Sequence, residues 1–325
     1  MKSNQFFPTV GIIGSGQIAR MLLEASSRLN IKIKILSNNA EESAALISNS
    51  VTIGNSKDFS DLSSFASQVD VITFDTNDSS IGMLRELENN GTKFNPRIST
   101  IENLQRIDFV KQSLIEQDLP VNGDNSKHNR LLAVQAVRSE HGQTVVYSVV
   151  EIKKVANILD EVIAPAPNLS EAKASELQVI ALKISKIFDI TGVFTTEFLD
   201  IGNNEFVISD IKLGPANSGH WTIDGAKTSQ FENHLRAILN LPLGSPTLLA
   251  PTTVMVNVFG GKYLDMYKPF LHCMAHDPEL RIHLYGKEVK DGIKVGHVNV
   301  SGHDLENLLE RAHHAADYLT GRITE

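Results

Sequence analysis

Residues 9–13 form a short, mostly apolar and β-branched run that stops at two glycines, and little else in the chain restricts its fold as tightly. The run reads as a buried strand. The turn Gly14-Ser-Gly16-Gln-Ile-Ala19 follows at once. Beyond it, Ile18, Met21, Leu22 and Ala25 recur at i, i+3, i+4 and i+7, the spacing of an amphipathic helix. The pattern then repeats. Strand-like segments at 31–36, 51–53 and 69–74 alternate with helical stretches around 41–48, 58–67 and 80–90, and 100–118 also reads as helical. Such alternation predicts βαβ units and a parallel, Rossmann-like sheet, with a ligand outside the carboxyl ends of the strands.

The glycine turn matches G-x-G-x-x-A, in which backbone N–H groups approach a phosphate at a helix N-terminus. A nicotinamide dinucleotide would also call for an acid at the end of the second strand. That strand ends Leu36-Ser-Asn-Asn39, without one. That points away from a nicotinamide cofactor, without removing it, and towards a phosphate-bearing small molecule or a purely structural turn.

At 325 residues the chain has room for two domains or three small ones, and its 42% hydrophobic content is enough for a core. The net charge of −8 excludes a broad basic face for duplex nucleic acid, but not a small basic pocket for one phosphate. Cys273 is the single cysteine, so no intrachain disulfide forms, and such sparing use suits a reducing compartment. No apolar run reaches the length of a membrane span, and residues 1–8 lack the apolar stretch of a signal peptide. A cytoplasmic protein without nucleic-acid or membrane partners is expected.

The pattern changes after residue 121. Asn122-Gly-Asp-Asn-Ser-Lys-His-Asn-Arg130 is polar and aperiodic, the clearest linker in the chain. After it, 131–138 and 144–150 read as a hairpin around Ser139-Glu-His-Gly-Gln143, 171–188 as a helix, and 193–211 as a second hairpin. A two-residue turn at Asn203-Asn204 sets Glu197 directly opposite Asp210. Such opposed carboxylates repel; either a hard cation such as Mg²⁺ bridges them, or the pair faces solvent and repels harmlessly, or the register slips by one. The polar loop Pro215-Ala-Asn-Ser-Gly-His-Trp-Thr-Ile-Asp224 precedes a helix at 229–239. His272 and His276 flank Cys273 at helical spacing, a weak zinc signal; Cys273 reads as an inert buried thiol, His313-His314 as a solvated face and Glu41-Glu42 as a helix N-terminus.

The stretch Asn217-Ser-Gly-His-Trp-Thr-Ile-Asp224 resembles the N5-carboxyaminoimidazole ribonucleotide synthases, ATP-grasp ligases of purine biosynthesis. The resemblance extends through Gly11-Ile-Ile-Gly-Ser-Gly-Gln17 with Arg20-Met21, Ile163-Ala-Pro-Ala-Pro167, Thr228-Ser-Gln-Phe-Glu232, His234-Leu-Arg236 and Leu241-Pro-Leu-Gly-Ser245. It continues in His283-Leu-Tyr-Gly-Lys287 and Lys294-Val-Gly-His297. These matches span nearly the whole chain in order.

The resemblance implies a fold and a reaction. The fold is a Rossmann-like pre-ATP-grasp domain (1–121), a linker in place of the lid (122–130), a reduced antiparallel α+β ATP-grasp domain (131–250) and a small C-terminal domain (251–325). In the reaction, ATP phosphorylates bicarbonate, and the amine of aminoimidazole ribonucleotide captures the CO₂ released. Gly14, Ser15, Gly16, Gln17 and Asp75 match substrate positions, and Asn217 and His220 the junction of the two ligand sites. Lys287 and Lys294 match the holders of the 5′-phosphate, and Glu197 and Asp210 the Mg²⁺-binding acids. Arg106, Lys154, Ser209 and Asp210 fall on residual nucleotide positions.

Departures cluster on the ATP side. The family carries its central lid domain where this chain has only residues 122–130. The arginine before the lid is lost or shifted onto Arg106-Ile107, and a histidine becomes Lys154. Asn-Glu becomes Ser209-Asp210, Arg-Pro-His becomes Gly214-Pro-Ala216, and Glu-x-Glu becomes Asp75-Thr-Asn77. The basic pair near the C-terminus becomes Ile293-Lys294. Two functions are therefore weighed. One is the ATP- and Mg²⁺-dependent ligase itself. The other is a non-catalytic protein that holds the ribonucleotide as a homodimer or beside a full-length synthase.

Overall fold

The structure, a computed structural model, describes residues 8–75, 78–121 and 130–324. It opens with β1 (Val10–Ile13), α1 (Gln17–Leu29), β2 (Ile33–Ser37), β3 (Val51–Ile53), α2 (Phe59–Ala66), β4 (Val71–Phe74) and α3 (Ile81–Asn89). The four strands form one parallel sheet in the order β3-β2-β1-β4. The chain order turns at β1, the switch point where open α/β sheets hold ligands. β1 and β4 are buried along their whole length, which is why they read as continuous apolar runs.

Two helical readings need correction. Residues 41–48 contain only a 3-10 turn, Ala45–Ile47, so Glu41-Glu42 start no α-helix; Glu42 instead accepts a hydrogen bond from Ser15 Oγ. The segment 100–118 is two helices, α4 (Ile98–Gln105) and α5 (Ile107–Ile115), because Arg106 leaves helical geometry at ψ 88°.

The rest is antiparallel. It comprises β5 (Leu131–Arg138), β6 (Thr144–Val146), β7 (Val150–Val155), β8 (Ile158–Ala164), α6 (Glu171–Ile187), β9 (Gly192–Gly202) and β10 (Glu205–Leu213). There follow α7 (Thr222–Gly225), α8 (Gln230–Ile238), β11 (Thr252–Phe259), α9 (Tyr267–His276), β12 (Arg281–Leu284), β13 (Lys294–Gly302) and α10 (Leu305–Thr320). One nine-stranded sheet runs β10-β9-β5-β7-β8-β11-β13-β12, with β6 added beside β5. β11 pairs with β8, so the C-terminal strands extend this sheet instead of building their own.

Each face of the β5–β9 region has its own core. α6 buries Leu177, Ile180, Ala181 and Ile184 against Phe194 and Phe198 of β9. The opposite face packs on Trp221, Tyr147 and Met255. α8 joins the two sheets. Its Phe231, Leu235 and Ile238 share a core with Met21 and Leu22 of α1 and with Tyr285, while Ala237 packs in the Trp221 core. Buried His234 crosses the seam, with Nε2 2.8 Å from Thr73 Oγ1 and Nδ1 accepting from Val193 N at 3.1 Å.

The linker expected at 122–130 lies, but for Arg130, outside the described residues. Its two flanks are held on one hairpin: Ile208 N donates to Pro120 O at 2.8 Å and Asp200 N to Arg130 O at 3.0 Å. That hairpin turns through Asn203 and Asn204, both left-handed at φ 53° and 60°. Such φ values fit the tight turn that matches strand twist, and asparagine tolerates them. Glu197 does lie opposite Asp210. The pairing arises through two irregularities that cancel, one beside Glu205 and one at Ser209.

α10 carries a further correction. His313 is only partly solvated: its side chain stays 41% exposed, but its Nε2 lies 2.6 Å from the buried carboxylate of Glu161 on β8, and that bond raises its pKa. Cys273 is buried and donates weakly to Ala315 O at 3.8 Å, and burial pushes its thiol up to about 11. His272 and His276 stack 5.8 Å apart. Among the described residues, no group of three or more His, Cys, Asp or Glu side chains is placed to hold a metal ion, and no helix is long and apolar enough to cross a membrane.

Candidate functional site

The glycine turn is built for close approach. Gly14, at φ 98°, turns the chain off β1 in a conformation that only glycine adopts freely. A Cβ on Gly16 would stand 2.7 Å from Asp75 Oδ2. Asp75 follows β4 and caps α1: Oδ2 accepts from Gly16 N at 2.8 Å and Oδ1 from Ala19 N at 2.9 Å. The protein's own carboxylate therefore occupies the helix N-terminus where the motif suggested a phosphate. Burial raises the Asp75 pKa, against the pull of those N–H groups and of Lys287. Ser15 is buried, with its hydroxyl 2.6 Å from Ser37 Oγ.

A second layer faces this loop from the far end of the chain. Gln17 Nε2 lies 3.3 Å from His220 Nε2, and Gln17 Oε1 takes a long contact of 3.5 Å from Lys287 Nζ. The ammonium groups of Lys287 and Lys294 stand 5.7 and 5.9 Å from the centre of the same ring, Tyr285. Burial lowers both, and Lys287 nearby helps bring Lys294 to about 7. Arg20 ties the layers together, donating to Ser43 O and Tyr285 O at 3.2 Å each.

Behind the lysines runs a column of imidazoles. His220 is fully buried, and burial followed by the charges of Lys294 and His283 drives its pKa well down, so it stays neutral. Its ring centre lies 5.1 Å from that of His297, which stacks on His283 at 4.5 Å. His283 Nε2 meets Asp224 Oδ2 at 2.7 Å, and Asn299 donates to the same oxygen at 2.7 Å. Tyr285 Oη lies 2.8 Å from His297 Nδ1. Sequence reasoning quoted His283, Tyr285, His297 and Asp224 only inside motifs and gave them no part in the site. The signal was present: Tyr285 follows His283 by two residues, just past the end of β12, and His297 on β13 pairs with His283.

Of the residues expected on the nucleotide side, Glu197, Asp210 and Lys154 meet in one cluster. Glu197 is 4% exposed on β9. Lys212 Nζ contacts its Oε1, Lys154 Nζ lies 3.4 Å from its Oε2, and Lys212 Nζ is also 3.6 Å from Asp210 Oδ2. Ile211 N donates to Asp210 Oδ1 at 2.8 Å. Ser209 sits at the strand irregularity beside Asp210. Arg106 lies over the Phe109 ring at 5.1 Å, on α5. Asn217 begins a 3-10 turn, and its Oδ1 is buried without a hydrogen-bond partner among the described residues. Lys212 escaped sequence reasoning, although its place two residues after Asp210 puts it on the same strand face.

This layout belongs to a class, the ribonucleotide synthetases built on an ATP-grasp core. Residues 7–105 match the ribonucleotide synthetase preATP-grasp domain, 100–231 the ATP-grasp domain and 253–311 the phosphoribosylaminoimidazole carboxylase C-terminal domain. The N5-carboxyaminoimidazole ribonucleotide synthase of Mycobacterium tuberculosis is 30% identical over 383 residues, covering 98% of this chain and 89% of that protein. The chain belongs to the N5-carboxyaminoimidazole ribonucleotide synthase family. The structure of N5-carboxyaminoimidazole ribonucleotide synthetase from Thermus thermophilus superimposes with a TM-score of 0.86 at 27% identity, covering 97% of this chain and 99% of that one. The Aspergillus clavatus N5-carboxyaminoimidazole synthase, solved with ADP and 5-aminoimidazole ribonucleotide, gives 0.87 at 25% identity, covering 98% and 99%.

Proposed function

We propose that this chain binds aminoimidazole ribonucleotide between the Gly14–Gln17 loop and the Lys287–Lys294 pair, and does not by itself run the ATP-dependent carboxylation. It acts as a paralogue or partner of a full-length synthase, or as a homodimer, in the cytoplasm. Four segments serve this reading: a substrate-binding section over 1–121, a short link over 122–130, a reduced ATP-grasp section over 131–250 and a C-terminal section over 251–325.

The observation that carries the ribonucleotide half is the convergence of two half-desolvated ammonium groups on one tyrosine ring, beside Gln17 and His220. A phosphate needs such point charges. Because Asp75 already neutralises the N-terminus of α1, an incoming phosphate is drawn to the lysines instead. Lys287 and Lys294 then bind it, Gln17 and neutral His220 orient the ligand, and Asn217 offers a free buried acceptor at the junction.

The non-catalytic half rests on length and charge. The alignment with the M. tuberculosis relative runs over 383 residues, longer than this 325-residue chain, so part of that relative faces a gap. The nine residues 122–130 stand where the family carries its lid. Without a lid, ATP has one wall, and a water-sensitive carboxyphosphate has no closed site. The second reading, a working ligase, is favoured by family membership and by the retained Glu197–Asp210 pair.

Differential scanning of the full chain separates the two, run with a phosphate-release assay and a full-length synthase as control. The proposal expects aminoimidazole ribonucleotide to raise Tm while MgATP does so weakly or not at all. A strong MgATP shift, with phosphate release that depends on bicarbonate and ribonucleotide, would establish the ligase instead.

A further inference from the structure

The family implies a Mg²⁺ ion at Glu197 and Asp210, and the residues around those two carboxylates do not fit one. Both oxygens of Glu197 face an ammonium group: Lys212 on Oε1 and Lys154 on Oε2. Lys212 also reaches Asp210 Oδ2, whose other oxygen accepts from the backbone. Two carboxylates and two ammonium groups sum to zero charge. Mg²⁺ takes near-ideal octahedral oxygen ligands and keeps several waters. Glu197, almost wholly buried, offers no room for that shell while the lysines hold it.

We propose that Lys154 and Lys212 do for this carboxylate pair what a divalent cation does elsewhere, so that the Glu197–Asp210 site takes no metal ion. The physical need is the same in both cases. Opposed carboxylates on paired strands repel, and because Glu197 is buried, solvent alone does not screen the pair, so a nearby cation relieves it. Here the cations are covalently part of the sheet. Lys212 projects from the same strand as Asp210. Lys154 comes from β7, where the register slips after Lys153. The four side chains thereby tie β7, β9 and β10 through one buried acid. A cation that entered would add two positive charges beside two already there, and would have to expel at least one lysine.

This inference concerns only the nucleotide side and leaves the ribonucleotide reading untouched. The two fail separately, because ribonucleotide binding is read as a Tm shift in EDTA. The test is Mn²⁺ binding to the full chain, followed by electron paramagnetic resonance of the free ion, with Tm recorded in Mg²⁺ and in EDTA. The wild-type chain is expected to leave the free-Mn²⁺ signal undiminished and to show the same Tm in both solutions. The double variant Lys154→Ala/Lys212→Ala is expected to take up Mn²⁺ at concentrations at least about tenfold below the highest at which wild type takes up none, and adding Glu197→Gln to remove that uptake. Where the double variant does not fold, Lys212→Ala alone serves. Mn²⁺ uptake by wild type that Glu197→Gln abolishes would overturn the proposal. So would a folded lysine variant that binds no more tightly than wild type.

Discussion

Lys294 shows how one side chain sets the working range of a site. Burial lowers it to about 7, and the neighbouring Lys287 adds to the fall. It is therefore charged below that pH and neutral above. A ribonucleotide phosphate is a dianion above a second pKa of about 6. Affinity for the ribonucleotide should accordingly fall as pH rises from about 7 towards 9, with the bound phosphate shifting the fall upward. Isothermal titration across that window, with Lys294→Met, reads it: the variant should bind weakly and without the slope. The stability of the free chain moves the other way. Its folded value lies below the unfolded one of about 10.4, so between roughly pH 7 and 10 the unfolded chain holds more protons at this position, and the Lys294 contribution to stability rises with pH. Lys287→Ala should weaken the ribonucleotide Tm shift at every pH. An unchanged shift would remove Lys287 from the site. The family resemblance pointed to these two lysines as candidate phosphate holders. Tyr285, the ring they share, came to light only when the strands were paired.

At the scale of elements, the β9–β10 hairpin is the part where local chemistry sets the geometry of a site. Asn203 and Asn204 fix the turn, and the turn starts the pairing that sets Glu197 against Asp210. Asn203→Ala or Asn204→Ala should each cost about 1 kcal/mol, because alanine resists the left-handed region, while Asn204→Gly should be close to neutral. Urea unfolding measures this; alanine variants as stable as wild type would show that the turn is not left-handed. The sequence predicted the turn and the opposed acids, but not the two slips between them. Those slips follow from packing: Phe206 and Ile208 face the α6 core together with Phe194 and Phe198. Elsewhere local reading failed for plain reasons. Arg106 breaks a helix that its neighbours would continue, and His313 is drawn to Glu161 from a helix face that looked solvated.

Taken whole, the molecule is a seam between a parallel and an antiparallel sheet, with α8 packed on both. The loop before α1 and the segment after β12 that carries Lys287 are more than 250 residues apart in sequence, yet Gln17 and Arg20 touch that segment directly. Ligand binding should therefore protect both regions at once. Hydrogen exchange with saturating ribonucleotide is expected to slow amides in residues 14–20 and in 285–297 together. Protection of one stretch alone would mean the site is not shared. Much of this was written in the chain itself. Alternating apolar runs and glycines specified a parallel sheet at the start, a shift of period after residue 130 specified an antiparallel one, and the order of motifs specified the family. These are local properties, set by backbone sterics and by the spacing that buries one face. What the sequence could not decide was which charges would meet. The carboxylate of Asp75 at the helix N-terminus, the imidazole column behind the lysines and the two lysines on Glu197 depend on strand register and sheet order. A side chain finds its partner only after distant segments are brought together, and in a low-dielectric interior that partner decides its charge.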